Sequence, residues 1–243
     1  MIPTRALATL VGIALIAGCT NNAAPTRVPD GPAETPTAVQ TPAIDLPSAS
    51  EARAQLEQLR RVDRNPNTLP PYERDAFGPA WADIDGNGCN QRDDVLLRDA
   101  APGTTRVQQQ GSCDHDVLAG TWVDPYTGRT LTFDDLKDLS QAQAIQIDHV
   151  VPLAEAWRSG ASGWRDRRRE GYANDLANLL AADGPTNAAK SDDDPAAWRP
   201  KQTYQCQYAT RWIAVKHRWK LGADASEVAA LADMLESCPT SGG

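Results

Sequence analysis

Two apolar runs in the second half of the chain have the composition of buried strands. The first covers residues 144–151, AIQIDHVV, and the second covers residues 178–183, NLLAAD. A continuous apolar run of four to eight residues is typical of a strand buried on both faces. The segment GPTNAAK, residues 184–190, begins a short helix after its proline. The pattern therefore predicts a strand–loop–strand–helix unit.

The remaining pattern predicts one hairpin and several helices around this unit. Residues 120–133 form two strands joined by the turn residues Asp-Pro-Tyr-Thr-Gly, and the turn-rich loop 81–94 leads into a strand at Val95–Leu97. The first helix is expected to have Ser50 as its N-cap. Helices are predicted over residues 50–62, 133–140, 153–158, 165–174, 204–220 and 225–237. The predicted fold class is α+β.

The first nineteen residues have the layout of an export signal. The basic start MIPTR precedes the apolar run ALATLVGIALIA, which is shorter than the roughly 20 residues that span a bilayer. The sequence IAGC ends the segment and resembles a bacterial lipobox, so Cys19 is predicted to carry a lipid. The protein would then be anchored to the outer face of the cytoplasmic membrane of a bacterium. The alternative is an ordinary signal peptide that contains a cysteine.

The composition after residue 19 predicts a linker followed by one folded domain. Residues 20–49 are rich in Pro, Thr and Ala and lack aromatic residues, which is typical of a disordered tether. The chain has 243 residues, of which 41% are hydrophobic, so residues 50–240 can form one sizeable core. We expect a signal peptide over 1–19, the tether over 20–49 and a monomeric domain over 50–240.

Four cysteines remain after Cys19, and an even number in an exported protein indicates disulfides. Of the three pairings, Cys89–Cys113 and Cys206–Cys238 are favoured because each closes a local loop of about 25 to 35 residues. Such a loop stabilises the fold by roughly 3–4 kcal/mol in the chain-entropy treatment. The alternative is a zinc site with four cysteine ligands, although the sequence lacks a C-x2-C spacing.

Four polar residues in the strand–loop–strand–helix unit form a candidate catalytic site. Asp148 and His149 lie side by side where the first strand ends, and Asn178 and Asn187 come from the second strand and the helix. An imidazole with a pKa of about 6.5 is suited to act as a general base. Carboxylate and amide oxygens are hard ligands suited to Mg²⁺. These residue types are those that metal-dependent hydrolysis of a phosphodiester requires.

The segments DHVVPLAEAW, NDLANLLAAD and TNAAKSDDDPAAW resemble the His-Asn-Asn form of the HNH, or ββα-metal, nuclease motif. More narrowly, residues 75–238 resemble an exported actinobacterial HNH endonuclease family related to the C-terminal domain of GmrSD-type restriction enzymes. The resemblance implies that His149 is the general base and that Asp148 and Asn187 hold Mg²⁺ or Mn²⁺. It also implies that Asn178 ties the loop and orients the histidine. DNA is the expected substrate, cut to 5′-phosphate and 3′-hydroxyl ends.

Two cationic residues are candidates for substrate binding. Arg92 follows the first disulfide cysteine, and the alternative to a phosphate contact is an ion pair with a nearby aspartate. Lys190 lies three residues after Asn187 and shares its helical face, and the alternative is a surface charge. The loop DIDGNGCNQRDD, residues 83–94, also matches several positions of a calcium-binding EF-hand loop. A tight turn that places Cys89 is favoured over Ca²⁺ binding there.

The net charge of −8 is unusual for a nucleic-acid binder, but the basic residues are unevenly distributed. Residues 195–223 contain six basic residues and no acidic one, and they could flank a phosphate track. Tyr208, Trp212, Val215 and Trp219 in this stretch repeat at helical spacing, which favours a core role over base stacking. His115 and His217 are interpreted as structural or surface residues. No base-reading module is visible, so low sequence specificity is expected.

Two rival interpretations remain open at this point. One is a non-catalytic envelope lipoprotein that keeps the fold and binds a partner or Ca²⁺. The other is a nuclease that acts on RNA, because the sequence offers no discriminator for the 2′-hydroxyl. In the catalytic interpretation, Asp148→Ala is expected to weaken the metal dependence rather than the fold.

Overall fold

The computed structural model of the protein describes residues 44–63 and 68–239. The predicted signal peptide, the lipidation site Cys19 and most of the predicted tether lie outside these residues. Within the two described ranges, no helix combines the length and the apolar character that crossing a membrane requires.

The described elements alternate between helices and short strands along the chain. In chain order they are α1 (Ala49–Gln58), β1 (Arg60–Arg61), α2 (Gln91–Asp99), β2 (Arg106–Gln110), β3 (Cys113–Val123), β4 (Thr130–Phe133), α3 (Leu139–Ala144), β5 (Ile145–His149), α4 (Leu153–Ser159), α5 (Asp166–Ala173), β6 (Leu179–Asp183), α6 (Gly184–Lys190), α7 (Gln202–Trp219), β7 (Gly222–Ala223) and α8 (Ala225–Leu235). The α+β class predicted from the sequence is confirmed.

Strands β5 and β6 pair antiparallel, and helix α6 follows β6 directly. In this register Asp148 lies opposite Leu180, and His149 lies opposite Leu179 at the end of the ladder. The strand–loop–strand–helix prediction is therefore confirmed, and the first strand ends at His149, two residues before the end of the predicted run 144–151. Strands β2, β3 and β4 form a separate antiparallel sheet that contains the predicted hairpin, and β1 pairs parallel with β7.

The β5–β6 pair is buried on both of its faces, which explains its continuous apolar sequence. Leu179 and Ala181 face a core formed with α2 and β3, whereas Leu180 and Ala182 face a larger core formed mainly by the helices. Successive strand residues point to opposite faces, so each face needs its own apolar residues. The polar residues at the end of β5 are thereby held between two packed layers.

Both favoured disulfides are present. Cys89–Cys113 joins the loop before α2 to β3, and Cys206–Cys238 joins α7 to the end of α8. The alternative of a four-cysteine zinc site is therefore wrong. His115 lies beside the first disulfide, but a disulfide sulfur has no thiolate to offer a metal.

Three predicted element boundaries are wrong, each because a polar side chain caps the backbone elsewhere. Helix α1 begins at Ala49, since Ser48 rather than Ser50 forms the capping box with Glu51. Residues 91–99 form helix α2 instead of a strand at 95–97, because the Asn90 side chain accepts hydrogen bonds from the first turn. Asp138 is the N-cap of helix α3, which therefore begins at Leu139 and not at residue 133 as predicted.

The loop that starts at Asp83 is the tight turn that the sequence favours. The Asp83 carboxylate accepts hydrogen bonds from the backbone N–H groups of Gly86 and Gly88, at 2.8 and 2.9 Å. Gly88 has a φ of +93°, and a Cβ there would lie 2.6 Å from the carbonyl oxygen of Ser112. The turn therefore requires glycine at this position and brings the adjacent Cys89 to its disulfide partner. Ca²⁺ binding by residues 83–94 stays untested.

His115 is buried and bridges two carboxylates, which supports its structural interpretation. Its Nε2 lies 2.8 Å from Asp94 and its Nδ1 lies 2.6 Å from Asp114. Burial lowers the pKa of His115, but the hydrogen bonds to both carboxylates outweigh it, and the net pKa is raised. The protonated imidazole therefore stabilises the folded state below about pH 6.5, and this contribution is lost as the pH rises through the raised pKa.

We expect the wild-type protein to lose thermal stability between pH 6 and pH 9 more steeply than the His115→Gln variant, because only the wild type releases this proton. Melting temperatures of both proteins, measured across that pH range, check the prediction. Parallel curves for the two proteins would contradict it.

Candidate active site

A cavity of about 430 Å³ opens at the end of strand β5. Three of the four predicted site residues line it, namely Asp148, His149 and Asn187. The other lining residues come from β5, the start of α4, the residues that follow α6 and a segment before α2: Tyr72, Arg74, Ile147, Pro152, Leu153, Ala154, Ser191 and Asp192. The fold therefore brings the predicted base and both predicted metal ligands to one concave surface.

The imidazole of His149 is held in its neutral form. Its Nε2 lies 2.8 Å from the carbonyl oxygen of Ala173, so Nε2 carries the proton and Nδ1 keeps a free lone pair. Burial, reinforced by the positive charges of Arg74 and Lys190, lowers the pKa of His149 to about 4. The ring of Trp81 lies nearly parallel to the imidazole, with 6.5 Å between the ring centroids and 13° between the planes.

Asn178 is fully buried and fixes the turn that follows His149. Its Oδ1 accepts a hydrogen bond from the backbone N–H of Val151 at 2.8 Å, and its Nδ2 donates to the carbonyl oxygen of Val151 at 3.1 Å. The backbone N–H of Val150 donates to the carbonyl oxygen of Asn178 at 2.8 Å. The side chain lies behind the cavity wall and acts on the loop.

Asp148 is buried against two donors. The Tyr126 hydroxyl donates to Oδ2 at 2.5 Å, and the Lys190 ammonium lies 3.0 Å from each carboxylate oxygen. Burial raises the pKa of Asp148, and the charge of Lys190 opposes that rise. Lys190 itself is fully buried and also donates to the carbonyl oxygen of His149 at 3.0 Å. The lysine therefore joins helix α6 to the end of strand β5.

The donor set of the cavity fits a divalent cation with few protein ligands. The Asn187 amide nitrogen donates to Oε1 of Gln146 at 2.9 Å, and no described residue donates a hydrogen bond to Oδ1 of Asn187. The Asp148 carboxylate has about four acceptor positions, and the hydrogen bonds from Lys190 and Tyr126 occupy two of them. One carboxylate oxygen and one amide oxygen are hard donors, and Mg²⁺ retains several waters when so few protein ligands are present.

The two residues expected to bind substrate make internal contacts. The Arg92 guanidinium donates to the carbonyl oxygens of Ala142 and Ile145, both at 3.2 Å, and does not line the cavity. Lys190 is paired with Asp148 and is not a surface charge. Phosphate binding by Arg92 and Lys190 stays a prediction, and these contacts do not support it.

Two of the six basic residues in the stretch 195–223 are buried, namely Arg211 and Lys216, and the other four are exposed. Lys216 is fully buried between Glu155 and Glu227, at 2.7 and 2.6 Å. Arg211 is buried and donates to main-chain carbonyl oxygens. These two residues therefore do not contribute to a phosphate track, and a track formed by the four exposed basic residues stays a prediction. The expected core role of its aromatic repeat is confirmed, since Tyr208, Trp212 and Val215 are buried and Trp219 packs against the same core.

Sequence reasoning missed the segment 72–81, which supplies Tyr72, Arg74 and Trp81 to the cavity region. The segment has no periodicity, and a single arginine in an irregular region gives no signal of its own. Only the tertiary structure places it beside His149, because the contact spans about seventy residues of sequence.

Two comparisons with known proteins cover the strand–loop–strand–helix unit that contains the candidate site. Residues 90–234 match the family model described as "GmrSD restriction endonucleases, C-terminal domain". The chain is also 41% identical over 207 residues to an "Uncharacterized secreted protein" of Arthroderma benhamiae, which covers 84% of this chain and 92% of the relative. No solved structure matches. The chain belongs to the family of GmrSD restriction endonuclease C-terminal domains.

Proposed function

We propose that this protein is a metal-dependent endonuclease that hydrolyses phosphodiester bonds of DNA with low sequence specificity. The observation that carries the proposal is a neutral imidazole beside two oxygen donors in one cavity, namely His149 with Asp148 and Asn187. Membership of a restriction endonuclease domain family supports the same reaction class.

In this proposal each side chain has one task. Nδ1 of His149 takes a proton from the attacking water, while the hydrogen bond from Nε2 to Ala173 keeps the ring oriented. The water oxygen bonds to phosphorus, the P–O3′ bond breaks and O3′ takes a proton from solvent, which yields 5′-phosphate and 3′-hydroxyl ends. Asp148 and Asn187 would hold Mg²⁺ or Mn²⁺. When bound, the cation offsets negative charge on the phosphoryl and leaving oxygens.

Export is part of the proposal. The Arthroderma benhamiae relative is named as a secreted protein, and two disulfides suit an oxidising compartment. Lipid attachment at Cys19, a tether that precedes helix α1 and a monomeric nuclease domain that begins with α1 are further parts of the proposal. Anchoring at the outer face of a membrane would give the enzyme access to extracellular nucleic acid.

Plasmid cleavage tests the function. The purified protein is expected to convert supercoiled plasmid to nicked and linear forms in Mg²⁺ or Mn²⁺ and to stop in EDTA. A parallel reaction with an RNA transcript distinguishes a DNase from a nuclease that ignores the sugar. A protein that is folded and disulfide-bonded but cuts neither substrate in either metal would favour the non-catalytic lipoprotein instead.

Trp81 is expected to act as a positioning residue for the base. Its backbone has a φ of 60°, an unfavourable value for a bulky residue, and its ring lies over His149. Strain of this kind is often stored at functional sites. Trp81→Ala is expected to lower kcat on the order of tenfold with little change in KM, because a misoriented base slows only the chemical step. Trp81→Phe should recover part of the loss.

Initial rates over a range of plasmid concentrations separate kcat from KM for both Trp81 variants. A rise in KM alone would indicate substrate contact rather than positioning of the base. An unchanged kcat in Trp81→Ala would show that the stacking has no role.

A further inference from the structure

The segment 70–82 supplies Tyr72 and Arg74 to the lining of the candidate active-site cavity, although it precedes the matched region 90–234. The buried ring of Phe77 packs against Trp157, with 6.2 Å between the centroids. The backbone N–H of Ala82 donates to Oδ1 of Asn174 at 3.1 Å. These contacts fix the segment to α4 and to the residue that follows α5. The exposed side chains of the segment therefore have defined positions.

Arg74 is the exposed cation of this segment. It begins the short 3-10 turn Arg74–Phe77 and lines the main cavity as well as a smaller cavity that also contacts His149. The side chain of Tyr72 is its neighbour. Burial raises the pKa of the Tyr72 hydroxyl, and the Arg74 charge offsets part of that rise. Among the described residues, no carboxylate forms an ion pair with Arg74. One guanidinium contact is to the Tyr72 hydroxyl, and in the described part of the chain no carboxylate takes up the remaining donors.

The charge balance of the cavity favours an anion next to Arg74. Of the two carboxylates in the lining, Asp148 is paired with Lys190 at 3.0 Å, and Asp192 is paired with Arg158 at 2.5 Å. Both negative charges are thus offset by cations that do not line the cavity. The charge of Arg74 is left without a counter-charge in the described part of the lining.

Building on the proposed endonuclease function, we propose that Arg74 binds a backbone phosphate of the nucleic-acid substrate beside His149. A guanidinium presents two parallel N–H donors to two phosphate oxygens, and such charge-assisted pairs are among the stronger hydrogen bonds in proteins. The segment 70–82 would thereby supply a phosphate contact beside His149, whereas Arg92 and Lys190 are held in internal hydrogen bonds.

Two measurements on the purified protein test this role. The first is binding of a fluorescent DNA duplex in EDTA, followed by anisotropy at several salt concentrations. The second is the plasmid-cutting kcat/KM in Mg²⁺. The variants are Arg74→Ala, Arg74→Lys and the matched control Arg167→Ala, which removes an exposed arginine from α5 outside the cavity lining. Melting curves verify that each variant is folded.

Arg74→Ala is expected to weaken duplex binding and to lower kcat/KM by about 10- to 100-fold, the usual loss for one charge-assisted hydrogen-bond pair. The slope of log affinity against log salt should fall by roughly one, since one phosphate contact is lost. Arg74→Lys keeps the charge but not the paired donors, so it should lie between Arg74→Ala and wild type. Arg167→Ala should match wild type.

The outcomes separate this inference from the proposed function. If wild type binds and cuts DNA, and Arg74→Ala does both equally well, the Arg74 role is overturned and the nuclease stands. If wild type binds DNA without cutting it, a loss of binding in Arg74→Ala still supports the phosphate contact while the proposed reaction fails. If wild type neither binds nor cuts nucleic acid, both are overturned.

Discussion

Replacing His149 with alanine is expected to reduce plasmid cutting by about 10²- to 10⁴-fold, the range that a positioned general base contributes. The remaining lining of the cavity offers no second neutral base, because Asp148 is engaged by Lys190 and Asp192 by Arg158. The variant should keep its fold. It loses one hydrogen bond, to the carbonyl oxygen of Ala173, and the turn after residue 149 remains fixed by Asn178.

The measurement compares initial nicking rates and melting temperatures of His149→Ala and His217→Ala. His217 lies on α7 outside the cavity lining and contacts Gln58, so its variant should cut like wild type. Equal cutting by the His149 and His217 variants would reject the assigned base. A large loss of cutting in His149→Ala at an unchanged melting temperature would place the defect in the chemical step.

The strand–loop–strand–helix unit was predictable because its sequence carries two independent signals. Burial on both faces of β5 and β6 requires the apolar runs, and the polar pair at residues 148 and 149 marks the point where the strand ends. The disulfide pairing was predictable for a similar reason, since local loops are the simplest to close. Both patterns come from residues that are close in the sequence, so they are visible without the tertiary structure.

The roles of the charged residues were not predictable in the same way, because sequence spacing does not show burial. The spacing between Asn187 and Lys190 correctly places both on one side of α6, since both contact residues of β5. It does not show that the ammonium is fully buried against Asp148. Lys216 is a second example. It lies in a basic stretch of the sequence, yet it forms a buried ion-pair network.

The cavity lining contributed by residues 70–82 was also beyond sequence reasoning. Its contacts with Asn174 and Trp157 join positions that are 92 and about 80 residues apart, respectively. Tertiary packing fixes these contacts, and no local periodicity in the sequence indicates them. Functional residues on irregular segments are common for this reason, and here they include the cation that we assign to phosphate binding.

The buried Asp148–Lys190 pair leads to the largest expected effect on stability. Lys190→Met is expected to lower the free energy of unfolding by about 3–5 kcal/mol, because the Asp148 carboxylate would remain buried without its counter-charge. The same reasoning revises the expectation for Asp148→Ala, which should weaken the fold as well as the metal dependence. From the sequence alone, only the metal dependence was expected to change.

The matched control is Arg199→Met, which removes one partner of a more exposed ion pair with Asp233. Such a pair contributes about 1 kcal/mol or less, since both charges remain hydrated and the pair is screened by salt. Denaturant unfolding in EDTA, with the disulfides intact, gives the free energy of unfolding for each variant. Similar losses for the Lys190 and Arg199 variants would contradict the assignment of Lys190 to a buried pair.

The double variant Asp148→Asn/Lys190→Met shows whether the cost comes from the uncompensated charge. It removes both charges and leaves an amide oxygen that can still accept a hydrogen bond from Tyr126, so most of the lost stability should return. A double variant as unstable as Lys190→Met would instead assign the loss to the hydrogen bond from Lys190 to the carbonyl oxygen of His149. Cutting should remain low in the recovered double variant, because the carboxylate that we assign to metal binding is gone. Stability and activity would then be separated within the Asp148–Lys190 pair.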